Sequence, residues 1–313
     1  MEHVLVCPDC KAPLRNGDSD LACSNADCSS LYPVINGVPI LINERVSTFR
    51  LSEYCHTETK LYSRFREKVR AIMPRITGNF AARRNFQKLA GLLLERAERP
   101  SVLIVGGAEV GDGLAPLLDD PRFEILETDV ALGRRTKLVC DARFLPFPPS
   151  SFDAVIIQAV LEYVPDPVES VSEIYRVLRP DGLIYSEMPF IQDVHGGRYD
   201  FTRLTLLGHR RLYRNFAEIA SGSCAGPATA LSWTLQQLFL SCARSRIVRD
   251  LVKLGMSCSL FWLKYFDLLL MNTPGGVDGA AGTYFLGKKS EEVLSDHDLI
   301  GLYRGGVPSD GVI

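Results

Sequence analysis

A strand that runs directly into a cluster of glycines limits the fold of this chain more than any other feature. The apolar run "SVLIV" at 101–105 is followed by Gly106, Gly107 and Gly111. Further runs, "FEILET", "KLVC", "FDAVII", "GLIYSEM" and "TYFLG", alternate with helical segments. Strands separated by helices pair in parallel and carry helices on both faces. The pattern therefore predicts an α/β fold with a doubly wound, Rossmann-like sheet.

The glycine cluster is the first candidate for a ligand site. Ligands in doubly wound sheets bind outside the carboxyl ends of the strands, which is where this cluster lies. Glycine has no Cβ, so the backbone is able to pass close to a ligand. We therefore expect Gly106, Gly107 and Gly111 to contact a bound molecule.

Length and composition set the number of domains and the compartment. A chain of 313 residues exceeds the usual domain size, so we expect one large domain with an appendage, or two domains. The 46% of hydrophobic residues is typical of a globular protein. The start, "MEHVLVCPDC", does not resemble a signal peptide, which predicts a cytoplasmic protein. In a reducing compartment, cysteines are expected as metal ligands or buried thiols.

Four of the nine cysteines form two close pairs near the start of the chain. They are Cys7 and Cys10 in "CPDC" and Cys23 and Cys28 in "CSNADC". Thiolates are soft ligands, and two such pairs a dozen residues apart are able to surround one tetrahedral ion. The spacing predicts zinc, with four unrelated buried thiols as the alternative. Four thiolates leave no open coordination position, so the zinc is expected to be structural.

The string "LYPVINGVPILI" follows the cysteines and has the Asn-Gly turn of a tight hairpin. The cysteine pairs and this string together resemble the zinc-ribbon activator domain that accompanies many methyltransferases, either fused or as a separate subunit. The resemblance covers about the first 45 residues. It implies a zinc-ribbon domain at 1–48 and a methyltransferase downstream.

Four strings between 102 and 189 resemble class I S-adenosylmethionine-dependent methyltransferases. In order, they are "VLIVGGAEVGDG", "ETDV", "CDARFLPFPPSSFDAVI" and "VLEYVPDPVESVSEIYRVLRPDGLIYSEMP". The resemblance implies a seven-stranded sheet at 101–290, with a small zinc ribbon before it and a helical insertion before its last strand. It also implies S-adenosylmethionine as the cofactor.

The same resemblance implies roles for residues at the ends of the strands. Asp129, or Glu127 in its place, would hold the ribose hydroxyls. Asp141 would accept the adenine amino group, and Ala142 would offer a backbone amide. Apart from the resemblance, we expect Gln158, after the fourth strand, to contact the cofactor from the wall opposite the loop that follows the fifth strand.

The glycine loop departs from the family pattern. The first strand of the family usually carries an acid that anchors the amino end of the cofactor, and Ile104 occupies that column. Either Glu109, inside the loop, substitutes for this acid, or cofactor binding is weak. Another interpretation of Glu109 is a helix N-terminal acid that interacts with the helix dipole.

The loop "EMPFIQDVHGGRYDFTR" after the fifth strand is the best candidate for the acceptor site. Methyl transfer is an in-line displacement that depends on alignment, and it needs a base only if the acceptor is a hydroxyl. We expect His195 to take that proton, with Asp200 orienting it or sharing the task. The alternative is an ion pair of Asp200 and Arg203 that only holds the loop. The expected acceptor contacts are Tyr163, Gln192, Arg198, Tyr199 and Arg203.

A basic connector is predicted at 49–100. Between Lys60 and Lys88 the chain has nine basic residues and the single acid Glu67. Such a run is able to contact phosphates. We favour a solvated helix face, because aromatic residues do not alternate regularly with the charges.

A helical insertion is predicted at about 226–280, followed by a C-terminal tail at 291–313. The insertion includes an apolar stripe and the basic segment "RSRIVRDLVKLG". The stripe consists of Leu231, Leu235, Leu238 and Cys242. A third run, "CSLFWLKYFDLLLM", contains two charged residues and is a poor transmembrane span. The helices either pack against the domain or a partner, which we favour, or make peripheral membrane contact through 228–271.

These features predict a cytoplasmic S-adenosylmethionine-dependent methyltransferase with a structural zinc ribbon. The expected acceptor is a hydroxyl of a small or sugar-containing molecule, such as a cell-surface glycan precursor. Similar "H...YDFTR" loops occur in methyltransferases encoded beside cell-surface polysaccharide genes, which is an argument by analogy. One alternative is an RNA methyltransferase, which the basic connector favours and the overall charge of -2 does not. The other is a non-catalytic binding module with a decayed glycine loop.

Overall fold

The computed structural model of the chain describes residues 4–17, 19–55 and 74–306. These residues form an eleven-stranded sheet flanked by helices. The strands are β1 (Leu14–Asn16), β2 (Asp20–Cys23), β3 (Leu31–Ile35), β4 (Val38–Leu41), β5 (Ser101–Val105), β6 (Glu124–Asp129), β7 (Leu138–Cys140), β8 (Phe152–Gln158), β9 (Leu178–Pro189), β10 (Phe216–Ala225) and β11 (Gly282–Lys289).

The strand order is β1-β2-β3-β4-β7-β6-β5-β8-β9-β11-β10. The strands from β5 to β9 pair in parallel with their neighbours, and β11 lies antiparallel between β9 and β10. This confirms the Rossmann-like α/β architecture. The sheet differs from the expected seven strands, because the four N-terminal strands extend it at one edge.

Both faces of the central strands are buried, as expected for a parallel sheet covered by helices. Alternate side chains of a strand point to opposite faces. Leu103 and Val105 enter one apolar cluster, whereas Val102 and Ile104 enter another. Ile104 is therefore an ordinary core residue, and an acid at its position would lie in an apolar cluster.

The helices are α1 (Ser52–Cys55), α2 (Ala82–Leu94), α3 (Ala115–Leu118), α4 (Pro167–Val177), α5 (Leu206–Leu212), α6 (Pro227–Cys242), α7 (Arg246–Leu260), α8 (Asp267–Leu270), α9 (Pro274–Asp278) and α10 (Asp296–Ile300). Local sequence explains the start of α4. At α4, Asp166 accepts hydrogen bonds from the backbone N–H groups of Val168 and Glu169. Pro167 suits the first helical position, where no backbone donor is needed.

The N-terminal strands join the main sheet through β4. Ile40 and Leu41 of β4 pair in parallel with Val139 and Cys140 of β7. Cys7, Leu21, Tyr32 and Leu41 belong to the same apolar cluster as the central strands. The N-terminal segment therefore shares the core of the main sheet and covers what would be its exposed edge.

The segment predicted as a basic connector is only partly described. Helix α2 lies within it and buries Phe86, Leu89 and Leu93 against the sheet. Five of the nine basic residues lie outside the described residues, namely Lys60, Arg64, Arg66, Lys68 and Arg70. The same holds for the tail beyond residue 306.

Helices α6 to α9 connect β10 to β11. Asp267 is buried and accepts hydrogen bonds from the backbone N–H groups of Gly226, Ala228 and Thr229, which caps the start of α6. Leu231, Leu238 and Cys242 of the expected stripe on α6 are exposed, so these side chains do not pack against the described part of this chain, and packing against a partner stays a prediction. No helix among the described residues has both the length and the apolar character needed to span a bilayer.

Candidate active site

A cavity of about 220 Å³ lies at the carboxyl ends of β5, β6 and β7. The expected cofactor residues Gly106, Glu109, Asp129, Asp141 and Ala142 line it, and so does Tyr163 from the acceptor set. The expected Gly107, Gly111 and Gln158 are not among its lining residues. The sheet therefore brings most of the expected cofactor side chains to one place, as the strand-end argument requires.

The conformation of Gly106 requires glycine. Its φ of +86° lies in the left-handed region, and a Cβ there would lie 2.1 Å from Cγ2 of Val160. Gly107 is closely packed in another direction, with a would-be Cβ 3.0 Å from Cβ of Glu127. The loop therefore turns tightly between β6 and the segment after β8, and this leaves the cavity open above it.

Asp129 fixes the glycine loop from the end of β6. The backbone N–H groups of Ala108 and Ala131 each donate to one of its carboxylate oxygens at 2.9 Å. Burial raises the pKa of Asp129, although these amides act against it. A carboxylate has about four acceptor positions, so Asp129 keeps capacity for a ligand hydroxyl.

Asp141 is hydrogen-bonded to neighbouring residues of the protein. Its oxygens accept from the backbone N–H, Nε and Nη2 of Arg143 at 3.0, 3.3 and 2.9 Å, and from the Ser47 hydroxyl at 2.8 Å. Both side chains of this ion pair are more than nine-tenths buried. The four donors fill the acceptor positions of the carboxylate, so an adenine amino group would have to displace one of them. Its role toward adenine stays a prediction.

Two residues of the N-terminal segment belong to the site and were missed from the sequence. Ser47 binds Asp141, and Phe49 lines the cavity and stacks on Tyr199 with ring centroids 5.5 Å apart. Arg143 also connects the N-terminal segment to Asp141, because it donates to the backbone oxygen of Val46 at 3.1 Å. No local motif marks these residues, because the pairing of β4 with β7 brings them there.

Gln158 lies on the other side of the glycine loop, against a buried acid. Its amide donates to Oε2 of Glu187 at 2.9 Å and to the backbone oxygen of Asp112 at 3.2 Å. Glu187 also accepts from Asn79 at 2.8 Å, and burial raises its pKa. A Cβ on Gly111 would lie 1.8 Å from Oε1 of Gln158, which explains that glycine. Gln158 and Gly111 therefore pack against each other and hold the glycine loop in place.

Glu109 is exposed at the rim of the cavity. The nearest following helix is α3, which begins at Ala115. Glu109 is therefore not a helix N-terminal acid, and that interpretation is wrong. Its use as a substitute for the missing strand acid stays a prediction.

Asp200 and Arg203 hold the acceptor loop by an ion pair. Arg203 donates to both oxygens of Asp200, with Nη2 at 2.8 Å from Oδ2. The backbone N–H groups of His195 and Gly196 donate to the same oxygen at 2.9 and 3.1 Å. The Arg203 guanidinium holds the pKa of Asp200 far below its usual range. Asp200 is therefore a poor proton acceptor, and this geometry favours the loop-holding alternative.

The carboxyl group that faces the imidazole of His195 belongs to Glu162, which the sequence analysis missed. Oε1 of Glu162 lies 3.9 Å from Nε2 of His195, whereas Oδ2 of Asp200 lies 3.7 Å from Nδ1. Glu162 is fully buried, and neither of its oxygens accepts a hydrogen bond from another described residue. Burial raises the pKa of Glu162 to about 7. An acid inside the apolar run "VLEYV" was the available signal.

Two hydrogen-bonding groups face Nδ1 of His195. Nδ1 lies 3.2 Å from the backbone oxygen of Asp193, to which it donates when it carries the proton, and 3.5 Å from Nη2 of Arg203, from which it accepts when it does not. When the proton is on Nδ1, the lone pair of Nε2 lies on the side of Glu162. The ring of His195 also meets the edge of Tyr163, with centroids 5.5 Å apart. His195 is therefore one aromatic ring away from the cavity.

The remaining acceptor candidates divide into two groups. Arg198 lies over the ring of Tyr199 at 4.9 Å, and Tyr199 stacks on Phe49 at the cavity. Gln192 instead lines an open groove between the loop and α6. The structure thus brings Tyr163, Arg198 and Tyr199 toward the cavity and leaves Gln192 outside it.

The four predicted zinc ligands meet at one point. All four sulfur atoms lie within 4.8 Å of one another, with 3.7 Å between Cys7 and Cys28 and 3.4 Å between Cys10 and Cys23. Tetrahedral zinc with bonds of about 2.3 Å places its sulfurs about 3.8 Å apart, so the cluster fits the ion. The Tyr32 hydroxyl lies 3.2 Å from Cys7 and is placed to support that thiolate.

A family model described as a methyltransferase domain matches residues 120–186, which run from before β6 into β9. This match supports an S-adenosylmethionine-dependent methyltransferase. A curated relative, the mitochondrial arginine-hydroxylase NDUFAF5 of Rattus norvegicus, is 35% identical over 63 residues. The aligned part is 20% of this chain and 18% of that protein, so the chain spans less than a fifth of its relative.

Two methyltransferases are among the solved structures that show a loose likeness to part of this chain. Phosphoethanolamine N-methyltransferase 2 of Haemonchus contortus, in complex with phosphomonomethylethanolamine and S-adenosylhomocysteine, is 17% identical, with a TM-score of 0.42 over 66% of this chain and 53% of that chain. An S-adenosylmethionine-dependent methyltransferase of Methanosarcina mazei is 16% identical, with a TM-score of 0.38 over 65% and 98%. TM-scores below 0.5 mark only a loose likeness.

Proposed function

We propose that this protein transfers a methyl group from S-adenosylmethionine to a hydroxyl of a small or sugar-containing acceptor, such as a cell-surface glycan precursor. The observation that carries the acceptor class is the pair of His195 and Glu162 beside the cofactor cavity. Transfer to a hydroxyl requires that a proton leave the oxygen, and this pair is built to accept one. A nitrogen acceptor with a free lone pair needs no such base.

The cofactor residues of this proposal are those that line the cavity. Asp129 holds the ribose hydroxyls, while the tight turn at Gly106 leaves room for the backbone to approach the ligand. Bound S-adenosylmethionine supplies an electrophilic methyl group whose bonding electron pair remains on sulfur when it leaves. Phe49 and Tyr163 enclose the cavity with apolar rings and exclude water from it.

His195 takes the acceptor proton on Nε2 as the new oxygen–carbon bond forms. Its Nδ1–H stays bound to the backbone oxygen of Asp193, which fixes the ring orientation. The imidazolium that results lies between the carboxylates of Glu162 and Asp200, and both stabilise its charge. Glu162 is thereby a positioning residue, and Asp200 keeps the loop in place.

Zinc has a structural role in this proposal. Cys7, Cys10, Cys23 and Cys28 offer four thiolates and no open position, so the ion holds the N-terminal strands and takes no part in the chemistry. Metal analysis of freshly purified protein should give one zinc per chain. Replacement of Cys23 by serine should lower both zinc content and melting temperature, whereas Cys242→Ser, at an exposed cysteine outside the cluster, should change neither. Protein that contains no zinc as purified would sink this assignment.

The decisive experiment measures cofactor binding and turnover separately. Calorimetric titration with S-adenosylhomocysteine should release heat, since a decayed module would give none. Labelled S-adenosylmethionine is then offered with nucleotide sugars, lipid-linked sugars and RNA in parallel. Labelling of a sugar hydroxyl supports the proposal, whereas labelling of RNA alone overturns it in favour of the RNA methyltransferase.

The variant His195→Ala tests the base. It should retain its affinity for S-adenosylhomocysteine and lose turnover by about 100-fold or more, with a residual rate that rises with pH as the acceptor ionises unaided. Val194→Ala, at the exposed neighbouring residue, serves as the control for the loop. Near-normal turnover by a stable His195→Ala protein would exclude this histidine from the reaction.

A further inference from the structure

The exposed hydrophobic side chains of the described residues are concentrated in the helical insertion. More than half of the large ones lie between 231 and 270, on α6, α7, α8 and the 3-10 turn Leu263–Phe266. Scattered exposed apolar residues are ordinary, but a concentration on adjoining helices marks an interaction surface. The outward side chains of residues 231–270 are named the insertion surface below.

Helix α7 presents an apolar stripe to solvent. Ile247, Leu251 and Leu254 follow one another at helical spacing, with the first two 73% and 61% exposed. No residue of α7 is buried, and its half-buried residues include Val252 and Met256, which lie on the other side of the helix. An amphipathic helix normally turns its apolar stripe toward the core. On α7 the apolar stripe instead faces solvent, where a partner outside this chain is able to bind it.

The charge around the stripe is strongly basic. Between positions 241 and 266 the only acid is Asp250, whereas the basic residues there are Arg244, Arg246, Arg249, Lys253 and Lys264. The whole chain has a net charge of -2, so this excess is local. The nearby acid Asp267 is buried as the cap of α6 and is absent from the surface. A basic rim around apolar side chains is complementary to anionic lipid headgroups.

Amphipathic aromatic residues complete the insertion surface. Trp262 and Tyr265 are half exposed, and the indole N–H of Trp262 donates to the backbone oxygen of Ser259 at 2.7 Å. Leu269 on α8 is 76% exposed. Trp and Tyr favour the headgroup region of a bilayer, where one end of the side chain is apolar and the other is polar.

The insertion surface adjoins the acceptor loop. An open groove separates them, with Ile191, Gln192 and Asp193 on one side and Gln237 and Leu238 of α6 on the other. A protein docked through α6 to α8 therefore holds its acceptor loop beside whatever it is docked on.

We propose that the insertion surface binds the face of an anionic phospholipid bilayer, with the apolar stripe of α7 and Leu269 in the upper acyl region. Arg246, Lys253 and their basic neighbours contact the headgroups. The combination of local positive charge, outward leucines and interfacial aromatics favours lipid over a protein partner, whose interface would be depleted of charge at its core.

Cosedimentation of the full chain with vesicles tests the proposal. Vesicles of phosphatidylcholine with 30% phosphatidylglycerol, a composition chosen as roughly that of an anionic membrane, should retain the protein, and added salt should weaken binding. The variant R246E/K253E should lose about tenfold or more in partition to these vesicles. The variant L251Q/L269Q should lose binding to both anionic and neutral vesicles. The control Val168→Gln, at an exposed apolar residue of α4, should bind as the parent does.

Affinity for S-adenosylhomocysteine is measured on the same preparations and should be equal in all of them, so this test does not depend on the catalytic proposal. Protein that stays in the supernatant with anionic vesicles overturns the membrane assignment. So does a parent that is dimeric in solution when L251Q/L269Q is monomeric, since the surface would then belong to a second copy. Equal binding by the parent and both double variants would place the lipid contact elsewhere.

Discussion

Two carboxyl groups beside the cofactor cavity have opposite surroundings. Asp141 accepts from four donors, three of Arg143 and one of Ser47. Glu162 accepts from no other described residue, although it is just as deeply buried. Buried polar groups are almost always satisfied, so each exception calls for a physical explanation. The comparison teaches that the first carboxylate holds the structure together, while the second has been left available for a proton.

The largest expected loss of stability comes from replacing Asp141, whose carboxylate accepts four hydrogen bonds. Asp141→Ala leaves the buried Arg143 guanidinium with only the half-exposed carboxylate of Glu169, 3.8 Å away, so the free energy of unfolding should fall by about 3 kcal/mol. Urea denaturation measures it. The matched control is Asp296→Ala, which removes an exposed partner of Arg211 and should change stability little. Equal losses in the two variants would contradict the structural role of Asp141.

Replacement of Glu162, whose carboxyl group accepts no hydrogen bond from another described residue, should raise the stability of the protein instead of lowering it. Because the pKa of Glu162 is raised to about 7, the folded protein keeps a proton that the unfolded chain releases above its ordinary pKa. Stability is therefore expected to fall as the pH rises between about 4.5 and 7 and to stay constant above that. Glu162→Gln cannot titrate, so it should lack this decline and gain about 3 kcal/mol over the parent at pH 8.

Turnover separates this effect from mere stabilisation. Glu162→Gln should lose turnover by about 100-fold because the imidazolium of His195 loses a counter-charge, while affinity for S-adenosylhomocysteine is kept. Thermal unfolding from pH 4 to pH 9 gives the stability profile on the same protein. Parallel profiles for parent and variant would show that Glu162 is not the group with the raised pKa.

Asp129 lies between these extremes, because it is partly satisfied and keeps acceptor capacity. Asp129→Ala should weaken binding of S-adenosylhomocysteine by about 1 to 3 kcal/mol, since hydrogen bonds to the ribose are lost. Asp129→Asn keeps one acceptor oxygen and should lose less. Calorimetry on both proteins makes the comparison, and unchanged affinity in the alanine variant would refute the ribose assignment.

The parallel α/β sheet and the place of the cavity could be predicted from the sequence. The alternation of strands with helices is a local pattern, and ligand sites in such sheets follow from it. Gly106, Asp129 and Asp141 were found for this reason, because each directly follows or ends a strand. The cysteine cluster could be predicted in the same way, since the spacing of the two pairs alone indicates that their four sulfur atoms meet.

The partners of these side chains could not be predicted, since they come from distant parts of the chain. Whether Asp141 is free or saturated depends on Arg143 and on Ser47, which is 94 positions away and arrives only through the pairing of β4 with β7. Gln158 was expected at the cofactor and supports the loop through Glu187. The ion pair of Asp200 with Arg203, only three positions away, was by contrast one of the two alternatives offered by the sequence, and the geometry favours it.

The sequence by itself determined the doubly wound sheet, the glycine turn and the thiolate cluster, because periodicity and spacing act over short stretches of chain. The tertiary structure alone decided that Glu162 faces His195 without a hydrogen bond, and that the stripe on α7 faces outward. Both depend on which surfaces the fold covers. Burial is a property of the whole packed molecule, so charge state and exposure were settled only when distant segments came together.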